Sequence, residues 1–147
     1  MDTWNPLRTQ LLTMLESVLG SNKVGDDTPT AIVDPPYAVI TMSNVSREFA
    51  ASLTTEVYTV GIRVLTPVNY EEGAKKQLED LYPLITQYFD QRRSLKLTVN
   101  SKDIQYLTRI GLVDFNADMR IDVASTPCMF MDYTLFAVVK TPSELQV

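Results

Sequence analysis

Between residues 129 and 140 the chain alternates with period two, so that Met129, Met131, Tyr133, Leu135, Ala137 and Val139 share one side of an extended strand. The other side carries Phe130, Asp132, Thr134, Phe136, Val138 and Lys140, which is too oily for a face left wholly in water. Any fold for this sequence must therefore seat a long strand with one apolar face and a second face that also seeks cover.

The same alternation recurs upstream at Tyr58, Val60, Ile62 and Val64, with Thr59, Gly61 and Arg63 between them and Pro67 as the stop. Residues 37–42 form a shorter β-branched run between Pro35-Pro36 and Ser43-Asn44, while residues 45–54 fit strand and loop equally. After Arg93 the sets Leu95, Leu97 and Val99, then Ile104, Tyr106 and Ile110, then Met119, Ile121 and Val123 alternate again. Ser125-Thr126-Pro127 reads as the turn into the final strand.

Two stretches have helical spacing instead. Leu7, Leu11, Leu15, Val18 and Leu19 predict a helix over residues 6–19, with Asn5 as its cap, Pro6 at its first position and Gly20 as its stop. Leu78, Leu81, Tyr82, Ile85 and Phe89 trace a second helix, opened by an Asn69–Glu72 capping box and kinked at Pro83. Gly, Ser, Asn, Asp and Pro across residues 20–36 predict an exposed, mobile loop anchored at its far end by Ile32 and Val33. This order predicts an α+β fold: a single, mostly antiparallel β-sheet packed with two α-helices, N-terminal helix first, in one domain over residues 1–147.

Histidine is absent and Cys128 is the only cysteine. Ser-His-Asp and Cys-His catalysis, Cys/His zinc sites and an internal disulfide are thereby excluded. The five glycines never cluster at the spacing of a phosphate cradle, so neither a nucleotide nor any other cofactor is expected. No stretch approaches the ~20 apolar residues of a membrane span, and residues 1–6 lack the form of a secretory signal, so the protein is expected in the cytoplasm and off the membrane.

The net charge of −5 sits entirely in residues 1–73, with nine acids against four bases, while residues 74–147 carry nine of each. Affinity for phosphate backbones comes largely from Lys and Arg contacts, so any meeting with nucleic acid is expected to be passive and without sequence specificity.

Carboxylates are the chemical groups that remain. Asp114, Asp118 and Asp122 recur every four residues, a pattern that suits either a hard cation or a solvated strand face in which Arg120 pairs with its neighbours. Met119, Met129 and Met131 suit either core filling or an adaptable interface, and Phe130 and Phe136 need either an internal layer or a neighbouring subunit. Cys128 has no basic neighbour to activate it and reads as a small buried residue.

Several segments together suggest a family. They are the helix from Pro6 to Leu19, the polar loop, the run Pro35-Pro36-Tyr37-Ala38-Val39-Ile40, the strand Val57-Tyr58-Thr59-Val60-Gly61-Ile62-Arg63-Val64, the helix over 74–89 and the strand Met131-Asp132-Tyr133-Thr134-Leu135-Phe136. Their layout resembles that of the tail-terminator, or tail-completion, proteins of long-tailed bacteriophages, over nearly the whole chain. The likeness lies in length and element order rather than in a fixed motif, and other small neck or head-tail joining proteins share it.

The resemblance implies a structural virion protein without catalytic residues. Such a protein is assembled in the host cytoplasm as a homo-oligomer, a hexameric ring that ends the tail tube and meets both the tail tube protein and the head connector. On that reading Phe130, Phe136, Met129 and Met131 belong to the subunit interface. Asp114, Asp118 and Asp122 line an acidic lumen or surface that DNA passes without sticking, and Lys23, Asp26 and Asp27 form a partner-contact loop. The alternative is a small-ligand-binding α+β domain with its pocket between the sheet and the helix at Pro83.

Overall fold

The computed structural model describes residues 1–29, 31, 32, 34–70 and 72–142, and for 112–114 and 116–119 the backbone alone. Helices α1 (Trp4–Leu19) and α2 (Ala74–Asp90) accompany strands β1 (Val24–Gly25), β2 (Tyr37–Phe49), β3 (Leu53–Pro67), β4 (Ser94–Val99), β5 (Lys102–Val123) and β6 (Thr126–Pro142). The fold is α+β, and the strands form one six-stranded sheet in the order β1-β2-β3-β6-β5-β4. At its centre β3 and β6 pair without a slip from Leu53↔Pro142 to Pro67↔Cys128.

The sheet is mixed, which corrects the expectation of a mostly antiparallel one. Val24 and Gly25 run parallel to Ala38 and Val39, as a connection longer than a tight hairpin between the two strands permits. Within that connection the Pro35–Pro36 peptide is cis. Ile32 packs as expected against a small outer cluster, and Val33 lies outside the described residues.

The strands outrun their sequence signals. The doubtful segment 45–54 is strand as far as Phe49, and two of the alternating sets after Arg93 belong to the single strand β5. The β5–β6 turn is Ala124-Ser125, with φ of 49° and 70°, and Asn100-Ser101 turns β4 into β5 at 51° and 64°. Two successive positive φ values give the twist that two-residue hairpins need. Thr126 and Pro127, expected in the turn, already belong to β6.

Both helix starts differ from the expected ones. Asp2, not Asn5, caps α1: its Oδ1 accepts the backbone N–H groups of Trp4 (3.0 Å) and Asn5 (3.1 Å). Asn5 lies inside the helix and gives its side-chain amide to Asp2. Pro6 is tolerated in the first turn, where its missing N–H has no helical partner. Ahead of α2, turns at Pro67–Tyr70 and Tyr70–Gly73 occupy the expected capping box, and Gly73 at φ 92° leads into the first helical bond, from the Gln77 N–H to its carbonyl.

The helices and one face of the sheet share a core. Leu7, Leu11, Leu15, Leu78, Ile85 and Phe89 join Val60, Ile62, Val64, Tyr133 and Leu135 in a single buried cluster. No helix among the described residues is long and apolar enough to cross a membrane.

Hydrogen bonds from Asn5 hold the Asp2 carboxyl below the usual carboxylate range. A group depressed in the folded state stabilises above its unfolded pKa and loses that contribution as pH falls through its folded value. Asp2→Ala should therefore cost about 1 kcal/mol at neutral pH. In denaturant titrations, the gap to wild type should close as pH drops through the carboxylate range.

Candidate interaction surface

Alternation along β3 and β6 sends two sets of side chains to opposite faces of the sheet. The face away from the helices carries Val57, Thr59, Arg63 and Leu65 from β3 with Phe130, Asp132, Phe136 and Val138 from β6, aligned by the pairs Val57↔Val138, Thr59↔Phe136, Arg63↔Asp132 and Leu65↔Phe130. β5 adds Leu107 opposite Val138 and Arg109 opposite Phe136.

This outer face has a covered half and an open half. In the covered half Val39, Leu65, Val123, Cys128 and Phe130 form a second buried cluster, joined by Ile32, Tyr37 and Ile121. Arg63 lies 4.3 Å over the Phe130 ring and binds Asp132 through two hydrogen bonds of 2.8 and 3.0 Å. Those bonds raise the guanidinium pKa above its ordinary value, so Arg63 stays charged. Beside the pair is a cavity of about 340 Å³, lined by Thr28, Thr41, Gly61, Arg63, Asp132 and Thr134 among others.

In the open half Leu107 is 54% and Phe136 45% exposed, with Val57 and Val138 half-buried between them. They form an apolar stripe across β3, β6 and β5 that faces solvent in the protomer. At its corner Arg109 is exposed beside Arg93, which pairs with Asp90 at 3.6 Å, and Arg92, which stacks on the Tyr88 ring at 3.7 Å and donates to the Tyr88 carbonyl.

The expected interface residues separate on this frame. Phe136 stands in the stripe. Phe130 does not: the outer cluster and Arg63 cover it, leaving it 8% exposed. Met129 and Met131 belong to the helix-side core, because odd positions of β6 face the helices, and so are buried within the protomer. These three are corrected from interface to interior.

Asp122 is exposed near the β5–β6 turn, while the side chains of Asp114, Asp118 and Met119 lie outside the described residues. In the partner loop, Lys23 pairs with Asp34 at 3.4 Å and donates to the Pro35 carbonyl, and Asp26 pairs with Arg8 at 3.0 Å. Lys23 thus braces the loop internally and Asp26 ties it to α1, and Asp26 and Asp27 are both exposed. Burial pushes the Cys128 thiol up and keeps it protonated.

Sequence reasoning missed a feature of β2: residues 41–49 are exposed on both faces. The alternation of Val45, Arg47 and Phe49 was its only signal, weakened by a register shift between Met42 and Asn44. Among the described residues, no group of three or more His, Cys, Asp or Glu side chains could hold a metal.

Phe130→Ala should lower the unfolding free energy by about 3–5 kcal/mol, the usual range for an emptied aromatic site. Phe136→Ala should stay within about 0.5 kcal/mol, as surface changes do. Equal losses in a denaturant series would contradict the assignment of one residue to the interior and the other to the surface. Neither a family model nor a curated protein matches this sequence.

Proposed function

We propose that this chain is a structural, ring-forming protein of a phage tail end, which terminates the tail tube and joins it to the head connector. The observation that carries this reading is the stripe of Leu107, Phe136, Val57 and Val138 on a bare sheet face. Leaving large apolar side chains in water forgoes roughly 25 cal/mol for each Å² they could bury, so such a stripe favours a protein contact. Arg109, opposite Phe136, supplies the polar rim that interfaces usually carry. The net charge of −5 suits a channel component that lets DNA pass without binding it.

A second reading has its own observation. The cavity beside Arg63 and Asp132 offers a guanidinium and threonine hydroxyls to a small polar ligand. It lies on the outer face rather than beside the helix at Pro83, where a pocket was expected. A ligand bound there would raise the melting temperature with its concentration, and assembly alone requires none.

The leading reading is tested with the whole chain. At tens of micromolar the wild type should run in native mass spectrometry as an oligomer and cosediment with tail tubes. Phe136→Asp should keep the wild-type melting temperature and be lost from the tail-end assembly. A wild-type chain that stays a strict monomer and binds neither tail tube nor connector protein overturns the proposal.

A further inference from the structure

Among the described residues, both long sides of the sheet are left open along part of their length. β1 covers β2 only at Ala38 and Val39, and residues 41–49 continue beyond it. On the other side β4 covers β5 as far as Leu107, and the Thr108 N–H donates to the Arg93 carbonyl at 2.7 Å. Beyond that bond β5 runs on to Val123, regularly as far as Leu112 and then with register shifts against β6 between Leu112 and Asp114 and between Phe115 and Arg120. Among the described residues no strand pairs with that edge.

The hydrogen bonds at the covered ends fix which residues face outward. The Ala38 N–H points away from β3, to the Lys23 carbonyl at 2.8 Å. Successive residues of a strand turn their backbone groups to opposite edges, so Ile40 and Met42 also point out. The register shift after Met42 moves that role to Val45, Arg47 and Phe49. On β5 the outward Thr108 makes Ile110 outward too. All these residues lie on the helix side of the sheet, as pairs such as Ile40↔Ile62, Val45↔Tyr58 and Ile110↔Leu135 require.

We propose that a second copy of this chain adds the open edge of its β2 to the open edge of β5, joining subunits head to tail into one continuous sheet. Directions alternate through β2, β3, β6 and β5, so the next β2 arrives antiparallel to β5 without any inversion. Residues that exchange hydrogen bonds across an antiparallel joint share a face, and both edges offer the groups of helix-side residues. Every copy therefore keeps its helices on the same side.

Register is limited at both ends, since β1 stops sliding in one direction and β4 in the other. The arriving arm brings Phe49, 72% exposed, and Glu48 to the corner of Arg92, Arg93 and Arg109. Of the two charged residues in the arm, Arg47 pairs with Glu56 and lies over the Phe49 ring of its own chain, which leaves Glu48 to meet Arg109 on the outer face. A two-fold β2–β2 dimer would leave the β5 edge open, whereas the head-to-tail joint uses both edges and repeats until it closes.

This inference rests on the ring-forming reading, and its test separates the two. Val45→Pro removes an outward N–H and leaves the β2–β3 ladder intact, while Ser46→Pro breaks that ladder and serves as the misfolding control. Val45→Pro should melt like the wild type and lose the oligomer in native mass spectrometry. Phe49→Lys charges the same edge at an exposed side chain and gives the same readout if the proline variant melts early.

Ile110→Pro blocks the β5 edge in the same way. Mixing it with Val45→Pro should give a dimer of one copy of each, because one live edge of each kind remains. Folded edge variants that assemble like the wild type overturn the joint and leave the ring reading standing. Self-dimers of Ile110→Pro without mixed dimers overturn it in favour of a two-fold contact. A monomeric wild type removes the joint and the ring reading together.

Discussion

The ladder between β3 and β6 is the constraint on which the rest of the molecule depends. Its partners lie far apart in sequence, from Pro67↔Cys128 to Leu53↔Pro142, so closing it commits the chain to one topology. What fixes its register is apolar. Val60 opposite Leu135, Ile62 opposite Tyr133 and Val64 opposite Met131 all face the helices, and a slip of one residue would turn every one of them to the other side. The Arg63–Asp132 pair crosses the same ladder but is partly exposed, so it contributes at most about 1 kcal/mol and marks the register more than it sets it.

A buried polar cluster fastens the N-terminal helix to that ladder. Thr3 meets the Tyr58 hydroxyl at 2.6 Å and donates to Glu56 at 3.0 Å, while the Tyr106 hydroxyl donates to the Thr3 carbonyl at 2.7 Å. Burial drives the Tyr106 pKa far above the ordinary tyrosine value, so its hydroxyl stays a donor. Arg47 reaches Glu56 at 3.5 Å, which ties the far end of β2 to the same cluster. One network thus links the start of α1, both sides of the central ladder and the segment left open to solvent. Loss of any member strands buried polar atoms, a cost of about 1–3 kcal/mol each.

Much of this was legible in the residues. Period-two alternation found β3 and β6 because their two faces differ in polarity, and period 3.6 found both helices. The chemistry of the caps misled, since Asn5 and Asn69 are good capping residues by type while the Asp2 carboxylate binds the first N–H groups of α1 and Gly73 stands at the start of α2. Sequence could not place Phe130 and Phe136 apart, although they share a strand face. What separates them is cover from Ile32, Ile121 and Arg63, contacts made across long stretches of chain. The β2 arm was illegible for another reason. Exposed on both faces, it has no buried side to impose a pattern, and its bulge breaks the phase of the little pattern it has.

That lack of pattern bears on how the two open features of the surface relate. The stripe of Leu107 and Phe136 lies on the face of the sheet, while the β2 and β5 edges lie at its sides. A joint made along the edges leaves the apolar stripe itself uncovered and meets it only at the Arg109 corner. A subunit that must bind its neighbours sideways and a different protein end-on needs two such independent surfaces, one repeated around an axis and one presented along it. An edge can be specified by backbone groups with few side-chain demands, which permits the mixed, polar sequence of residues 41–49. A face must be specified by side chains, and there the apolar residues are found. The uneven distribution of hydrophobicity between arm and stripe is what the proposed division of roles requires.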